Sequence, residues 1–250
     1  MRRWALVSAT ALLATGKVAL ADGLAPPAAC CAAPTWSGVY AGFQAGGAWS
    51  DTGWTFPFVE SFNTAPGQHF ATQPGGGLAG GQVGFNQQFG GIVLGGELAF
   101  VGTEARETLL GSGPFADDRF KTSVSDLLTL AARAGIPLGN SLLYAKAGYA
   151  DAHVDLSAFS TATGITGDAS RTAGGWTAGA GWEYRIGRSL VFGVEYDYVD
   201  LSASRFSGAT GGAAPDLPFK VDLDPVRMNA VMARLSILLD RSPGQSASMK

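Results

Sequence analysis

Two histidines, His69 and His153, are the only side chains in this chain whose unperturbed chemistry offers a proton acceptor near neutral pH. His153 stands close to Asp155 and Ser157, the residue types of a Ser–His–acid set. Such a set works only through mutual hydrogen-bond geometry, and a histidine next to an aspartate in a connecting segment reads more simply as solvated. No Walker, dinucleotide or zinc pattern occurs. The two cysteines, Cys30 and Cys31, are adjacent, which is no metal-ligand spacing. Pro27-Ala28-Ala29-Cys30 also lacks the large apolar residue that lipid attachment needs three positions before the cysteine. These absences point away from an enzyme and imply neither cofactor nor metal.

The other candidates are charges. Glu97, Arg133, Lys146, Glu183, Arg185, Glu195, Asp197 and Arg234 form four acids and four bases in a chain only 15% charged, against about 25% for a soluble domain. The net charge of −3 comes with no basic stripe, so nucleic acid is not an expected partner.

The elements that must carry these charges have a period of two, the signature of strands. Eight such stretches follow one another: Val39 to Trp49, Leu78 to Phe89, Ile92 to Val101, Val124 to Ile136, Leu142 to Tyr149, Gly175 to Ile186, Leu190 to Val199 and Val226 to Leu239. Their connections alternate. Gly90-Gly91, Pro137 to Ser141 and Gly187 to Ser189 are short, whereas Ser50 to Gly77, Gly102 to Ser123, Ala150 to Ala173 and Asp200 to Pro225 are long. Short turns at one end and long loops at the other are the rhythm of outer-membrane barrels. The hairpin ending Val93-Leu94-Gly95-Gly96-Glu97-Leu98 is echoed in Val191-Phe192-Gly193-Val194-Glu195-Tyr196. The expected fold is all-β, an eight-stranded antiparallel up-and-down transmembrane β-barrel.

Face chemistry orients that barrel. The eight charges fall on one set of alternate positions. The other set carries Val, Leu and Ala at mid-strand, with Trp49, Phe89, Phe100, Tyr149, Trp176, Tyr184 and Tyr198 toward strand ends, where an interfacial aromatic girdle belongs. The charges therefore turn inward. Eight strands enclose a space that side chains just fill, and Gly42, Gly46, Gly84 and Gly148 leave room for the long ones. A paired, filled lumen follows, because a partly buried unpaired charge is costly. The alternatives are an ion-conducting constriction in a narrow porin, or charges facing water around the cavity of a secreted lipocalin-like carrier.

Residues 1–21 read as a secretory signal peptide. Arg2 and Arg3 precede an apolar run from Trp4 to Leu13, about half the roughly 20 residues of a spanning helix. Ala19-Leu20-Ala21 places cleavage between Ala21 and Asp22. Residues 22–35 form an Ala- and Pro-rich disordered leader, 36–240 the barrel and 241–250 a polar tail. The first long loop is unusually aromatic, with Trp54, Phe56, Phe58, Phe62 and Phe70. These extend the first two strands above the membrane or fold over the barrel mouth, or else form an exposed recognition patch.

Trp36-Ser37-Gly38-Val39-Tyr40-Ala41-Gly42 resembles the opening strand of the alphaproteobacterial outer-membrane β-barrel family, which includes the major surface proteins of Brucella and rhizobia and is distantly OmpA-like. Gly80-Gly81-Gln82-Val83-Gly84-Phe85-Asn86, Gly95-Gly96-Glu97, Ala132-Arg133-Ala134-Gly135, Leu142-Leu143-Tyr144-Ala145-Lys146-Ala147-Gly148 and Gly193-Val194-Glu195-Tyr196 follow that family's order over nearly the whole chain. The resemblance implies a structural, surface-exposed protein of the cell outer membrane, sometimes porin-like. Its expected partners are outer-membrane lipid and lipopolysaccharide and the outer-membrane assembly machinery. One departure stands out: the last strand ends Ser236-Ile237-Leu238-Leu239-Asp240, without the terminal aromatic typical of such barrels.

Overall fold

The computed structural model describes residues 35–55, 67, 69–110, 118–202, 204–213 and 218–240. The proposed signal peptide, its Ala21/Asp22 cleavage site, Cys30, Cys31, Phe56, Phe58, Phe62 and the polar tail lie outside these residues. Among the described residues, eleven strands run in order: β1 (Gly38–Thr55), β2 (His69–Thr72), β3 (Gly75–Phe89), β4 (Ile92–Leu110), β5 (Asp118–Leu138), β6 (Ser141–Ser160), β7 (Ile165–Ile186), β8 (Leu190–Leu201), β9 (Ser204–Gly212), β10 (Pro218–Leu223) and β11 (Val226–Asp240).

Eight of them close into a ring. Each of β1, β3, β4, β5, β6, β7, β8 and β11 pairs antiparallel with the next, and β11 returns to β1 from Gly38↔Asp240 to Asp51↔Arg227. Closure leaves no unpaired edge in the ring, the state that water-free surroundings demand of a sheet. The short connections fall at one end. Gly90 and Gly187 adopt φ of 60° and 69°, the left-handed conformation a tight hairpin requires there.

The segments expected as long loops are largely strand. β6 continues to Ser160 and β7 begins at Ile165, so only Thr161–Gly164 separates them. β5 starts at Asp118 rather than near Val124, and β4 runs on to Leu110. β2 adds to the top of β1, pairing Thr52↔Thr72 through Thr55↔His69. β9 and β10 form a hairpin that continues the wall, β9 pairing with β7 and β10 with β1.

These extensions keep the period of two but reverse its meaning. Below Tyr149 on β6, Leu143, Ala145 and Ala147 face outward while Tyr144 and Lys146 are buried inside. Above it, Asp151, His153, Asp155 and Ser157 point outward and Ala152, Val154, Leu156 and Ala158 pack inside. β5 repeats the change: Leu128, Leu130 and Ala132 are exposed below, Lys121 and Arg119 above. The lower barrel is apolar outside and charged inside; the upper barrel is polar outside and apolar inside.

Candidate functional site

The lumen contains three layers. At the turn end, Trp36 is folded under the barrel and almost completely buried with Leu142, Val191 and Leu238. Its backbone N–H donates to Gln88 Oε1 at 2.9 Å, and its indole N–H reaches the Gly139 carbonyl at 3.4 Å. Arg185 lies 5.0 Å from the centre of the Trp36 ring and donates to the Thr35 carbonyl. The residues just before β1 thus close the floor.

Above the floor sits the ionic layer. Glu97 from β4 is its hub. It accepts from the Tyr40 hydroxyl at 2.7 Å, from Arg133 Nη1 at 3.3 Å, from Lys146 Nζ at 3.4 Å and from both terminal nitrogens of Arg234. Arg133 also contacts Glu183 at 3.0 Å and stacks 3.8 Å from the Tyr144 ring centre. Lys146 Nζ lies 2.7 Å from Glu195 and 2.9 Å from Asp197, and Arg234 also pairs with Glu195. The Tyr144 hydroxyl donates to Glu195. Three cations thus meet four carboxylates, and the count balances only when Arg185 at the floor is included. Every one of these charged side chains is buried. At such burial the penalty for removing a charge from water is several kcal/mol per ion, so mutual pairing is a condition for the layer to exist.

The third layer fills the upper barrel. Trp54, Phe120, Val154, Leu156, Phe206 and Val221 form an apolar core. Trp54 donates to Thr122 Oγ1 at 2.8 Å and meets Phe120 edge-on at 5.6 Å; Phe70 stacks on Phe120 at 5.3 Å. Of the aromatics in the first long segment, Trp54 and Phe70 therefore line the interior. Sequence pattern did not mark Trp36 or Trp54 as lumen residues, although both continue the inward parity of Tyr40.

The candidate catalytic groups are dispersed. His153 contacts Asp155 at 3.3 Å on the outer wall, and His69 contacts Asp224 at 2.9 Å across Gly53. Among the described residues, each imidazole meets a carboxylate. The two histidines stand on different strands, outside the barrel.

The outer wall carries an apolar band. Trp49, Phe100, Tyr149 and Trp176 are about half exposed near its upper limit, with Tyr198 tilted 5.3 Å from Trp176; Phe89 and Tyr184 are exposed near its lower limit. From Ile186 to Trp176 the strand rises ten residues. At ~3.3 Å per residue and a tilt of about 40°, that is about 25 Å, the height of the apolar belt on outer-membrane barrels.

Residues 13–216 match the model of the outer membrane protein beta-barrel domain. The chain belongs to this family. The 31 kDa outer-membrane immunogenic protein of Brucella melitensis is 31% identical over 211 residues, covering 80% of this chain and 88% of that one, and its counterpart from Brucella suis matches equally. Among solved structures, the outer membrane protease OmpT of Escherichia coli superposes with a TM-score of 0.54 at 7% identity, covering 84% of this chain and 99% of the other. OprG of Pseudomonas aeruginosa gives 0.49 at 17% identity, covering 80% and 97%. At these identities the structural likeness concerns the fold alone. The family places this β-barrel protein in the cell outer membrane, where the apolar band meets lipid. A secreted carrier is overturned by the same finding, together with the outward direction of its aromatic residues.

Proposed function

We propose that this outer-membrane β-barrel is a sealed structural protein displayed at the cell surface, with no enzymatic step of its own. The observation that carries the reading is the continuous filling of the lumen. The Trp36 floor, the Glu97-centred ionic layer and the Trp54–Phe120 core lie in series, so a solute would have to displace all three. An ionic layer tied this way resists opening because separating any cation leaves the buried carboxylates in excess. The aromatic residues at the limits of the band serve as the interfacial girdle in this reading.

One observation favours a narrow conduit as the second reading. The side-chain oxygens of Gln44, Gln82 and Asn86, on the adjacent β1 and β3, are buried without a hydrogen-bond partner among the described residues. They line one side of the lumen with polar groups suited to water. Single-channel recording on the refolded full chain separates the two readings. The sealed barrel is expected to stay at the baseline of the protein-free bilayer; steady, reproducible conductance steps would establish the conduit instead.

A further inference from the structure

Arg106 on β4 and Arg119 and Lys121 on β5 are exposed on the outer wall above the apolar band. β4 and β5 are paired here, Arg106 opposite Ser123, Thr108 opposite Lys121 and Leu110 opposite Arg119. Arg106 and Lys121 are therefore diagonal neighbours, and Lys121 and Arg119 share a face two residues apart; both spacings are about 7 Å. None of the three has an ion pair or side-chain hydrogen bond among the described residues. The other charges on this wall are Glu104 and Asp126 below the trio and Asp155 on β6, opposite Ser123 and in contact with His153. Glu104 and Asp126 thus stand nearer the membrane edge with the cations above them, while Asp155, in the same pairing row as Arg106, is engaged by His153.

Lower on the outer wall lies a second feature. An apolar hollow of about 740 Å³ opens toward lipid, lined by Phe43, Gly81, Val83, Leu98, Phe100 and Leu128. Its depth beside the protruding Phe43 comes partly from Gly81, which faces outward with no side chain. A Cβ there would meet only the Gly42 carbonyl, at 3.5 Å, so the space is open. β4 and β5 each contribute to both features: Leu98 and Phe100 precede Arg106, and Leu128 follows Lys121.

We propose that this wall is a seat for one lipopolysaccharide molecule of the outer leaflet. An acyl chain occupies the Gly81 hollow, and phosphate or carboxylate groups of the core sugars rest on Arg106, Arg119 and Lys121. The height decides which part of the lipid is met. Arg106 lies six residues past Phe100 and Lys121 seven residues beyond Leu128, about 15 Å above the apolar edge at ordinary strand rise and tilt. Glu104 and Asp126 occupy the level below, which directs the lipid's anionic groups upward to the cations. The patch faces sideways, into the plane of neighbouring lipids, and not upward from the barrel mouth. Charge complementarity with a membrane lipid therefore fits it better than with a soluble polyanion. The proposal rests on the outer-membrane placement but not on the sealed lumen; a conducting barrel has the same wall.

The test uses the full chain refolded in detergent with phosphorylated deep-rough lipopolysaccharide as the probe, its affinity read by titration at two salt concentrations. Heat-shifted gel mobility first verifies that each variant folds. The combined variant Arg106→Gln, Arg119→Gln, Lys121→Gln is expected to bind about ten-fold more weakly, with loss of most of the salt dependence. Gly81→Leu fills the hollow and is expected to weaken binding while leaving the salt dependence intact. Asp151→Asn, on the neighbouring wall, is expected to change neither. Wild-type affinity in both the triple variant and Gly81→Leu would overturn the seat. Binding of heparin through the same three cations, as tight as that of the lipid and unaffected by Gly81→Leu, would overturn the assignment to lipopolysaccharide.

Discussion

Arg234 on the last strand grips both carboxylate oxygens of Glu97 on β4, with Nη1 3.1 Å from Oε1, although 137 residues separate them in the chain. The pair spans the lumen between strands that are not neighbours in the ring. It ties the closing strand to the wall opposite, and every other member of the ionic layer touches one of these two side chains or their immediate partners.

Removing the cation alone is therefore expected to be severe. Arg234→Met leaves Glu195 with Lys146 alone and Glu97 with Lys146 and Arg133, so the buried carboxylates outnumber their cations, at a cost of about 3–5 kcal/mol. Replacing Glu195 by Gln in the same chain is expected to recover most of that loss, since three cations then face three carboxylates. Urea unfolding in lipid vesicles measures both; equal stability of Arg234→Met and wild type would show that the layer does not govern folding.

The floor makes a separate expectation. Trp36→Ala removes a fully buried aromatic and is expected to destabilise by about 3–5 kcal/mol. It is not expected to open the barrel, because the ionic layer and the upper core still block the path. Single-channel recording on the variant checks this, and sustained conductance would identify Trp36 as the whole seal.

The reversal of faces predicts a position-dependent response to charge, expected from lipid contact alone. Ala132 faces outward in the middle of the apolar band on β5, so Ala132→Arg is expected to cost about 2–4 kcal/mol. Ser157 faces outward on β6 above the band, and Ser157→Arg is expected to be near neutral. Unfolding free energies in vesicles distinguish the two, and equal effects would contradict the placement of the band.

The β9–β10 hairpin carries a pH-dependent tie. Arg205 reaches both oxygens of Asp222, at 2.6 and 2.8 Å, and the guanidinium holds the Asp222 carboxyl below its ordinary range. A carboxylate whose acidity is increased by folding stabilises the fold above its unfolded pKa, and that contribution disappears as pH falls through the folded value. Protection factors for amides of β9 and β10, corrected for intrinsic exchange, are expected to fall as pH drops from about 5 toward 2, a window that opens near the unfolded carboxylate value and extends below it. Arg205→Gln is expected to remove that dependence; an unchanged profile would show that the tie contributes nothing to the hairpin.

Much of this architecture was legible in the residues because one rule governs it. In a membrane-crossing strand the inward and outward sets differ strongly, as in Leu143, Ala145 and Ala147 against Tyr144 and Lys146, and the period of two is visible at once. Near the short turns, glycines mark where each strand stops. The upper strands were harder to read for a physical reason. Asp151, His153, Asp155 and Ser157 are polar like a loop, and the intervening Ala152, Val154, Leu156 and Ala158 are small, so the same alternation resembles an irregular connection once its faces have changed places. Trp36 was hidden differently. It precedes the first strand, and only the three-dimensional return of the chain beneath the barrel brings it to Arg185 and Gly139. The eight charges were identified as residue types, but which cation meets which carboxylate depends on ring closure and strand tilt, quantities no local pattern carries.

The reversal of faces at the upper edge of the band also determines how deep the protein rides. Just above that edge the wall presents Asp51, Glu104, Asp126, Asp151 and Asp200 on five different strands. A downward slip of one pleat repeat, about 5 Å along the membrane normal, would draw several of these carboxylates into hydrocarbon together. A matching rise would lift aromatic and aliphatic side chains into water. The barrel thus has a fixed waterline, and what it shows outside the cell is a stiff hydrogen-bonded tower, not only the loops at its tip.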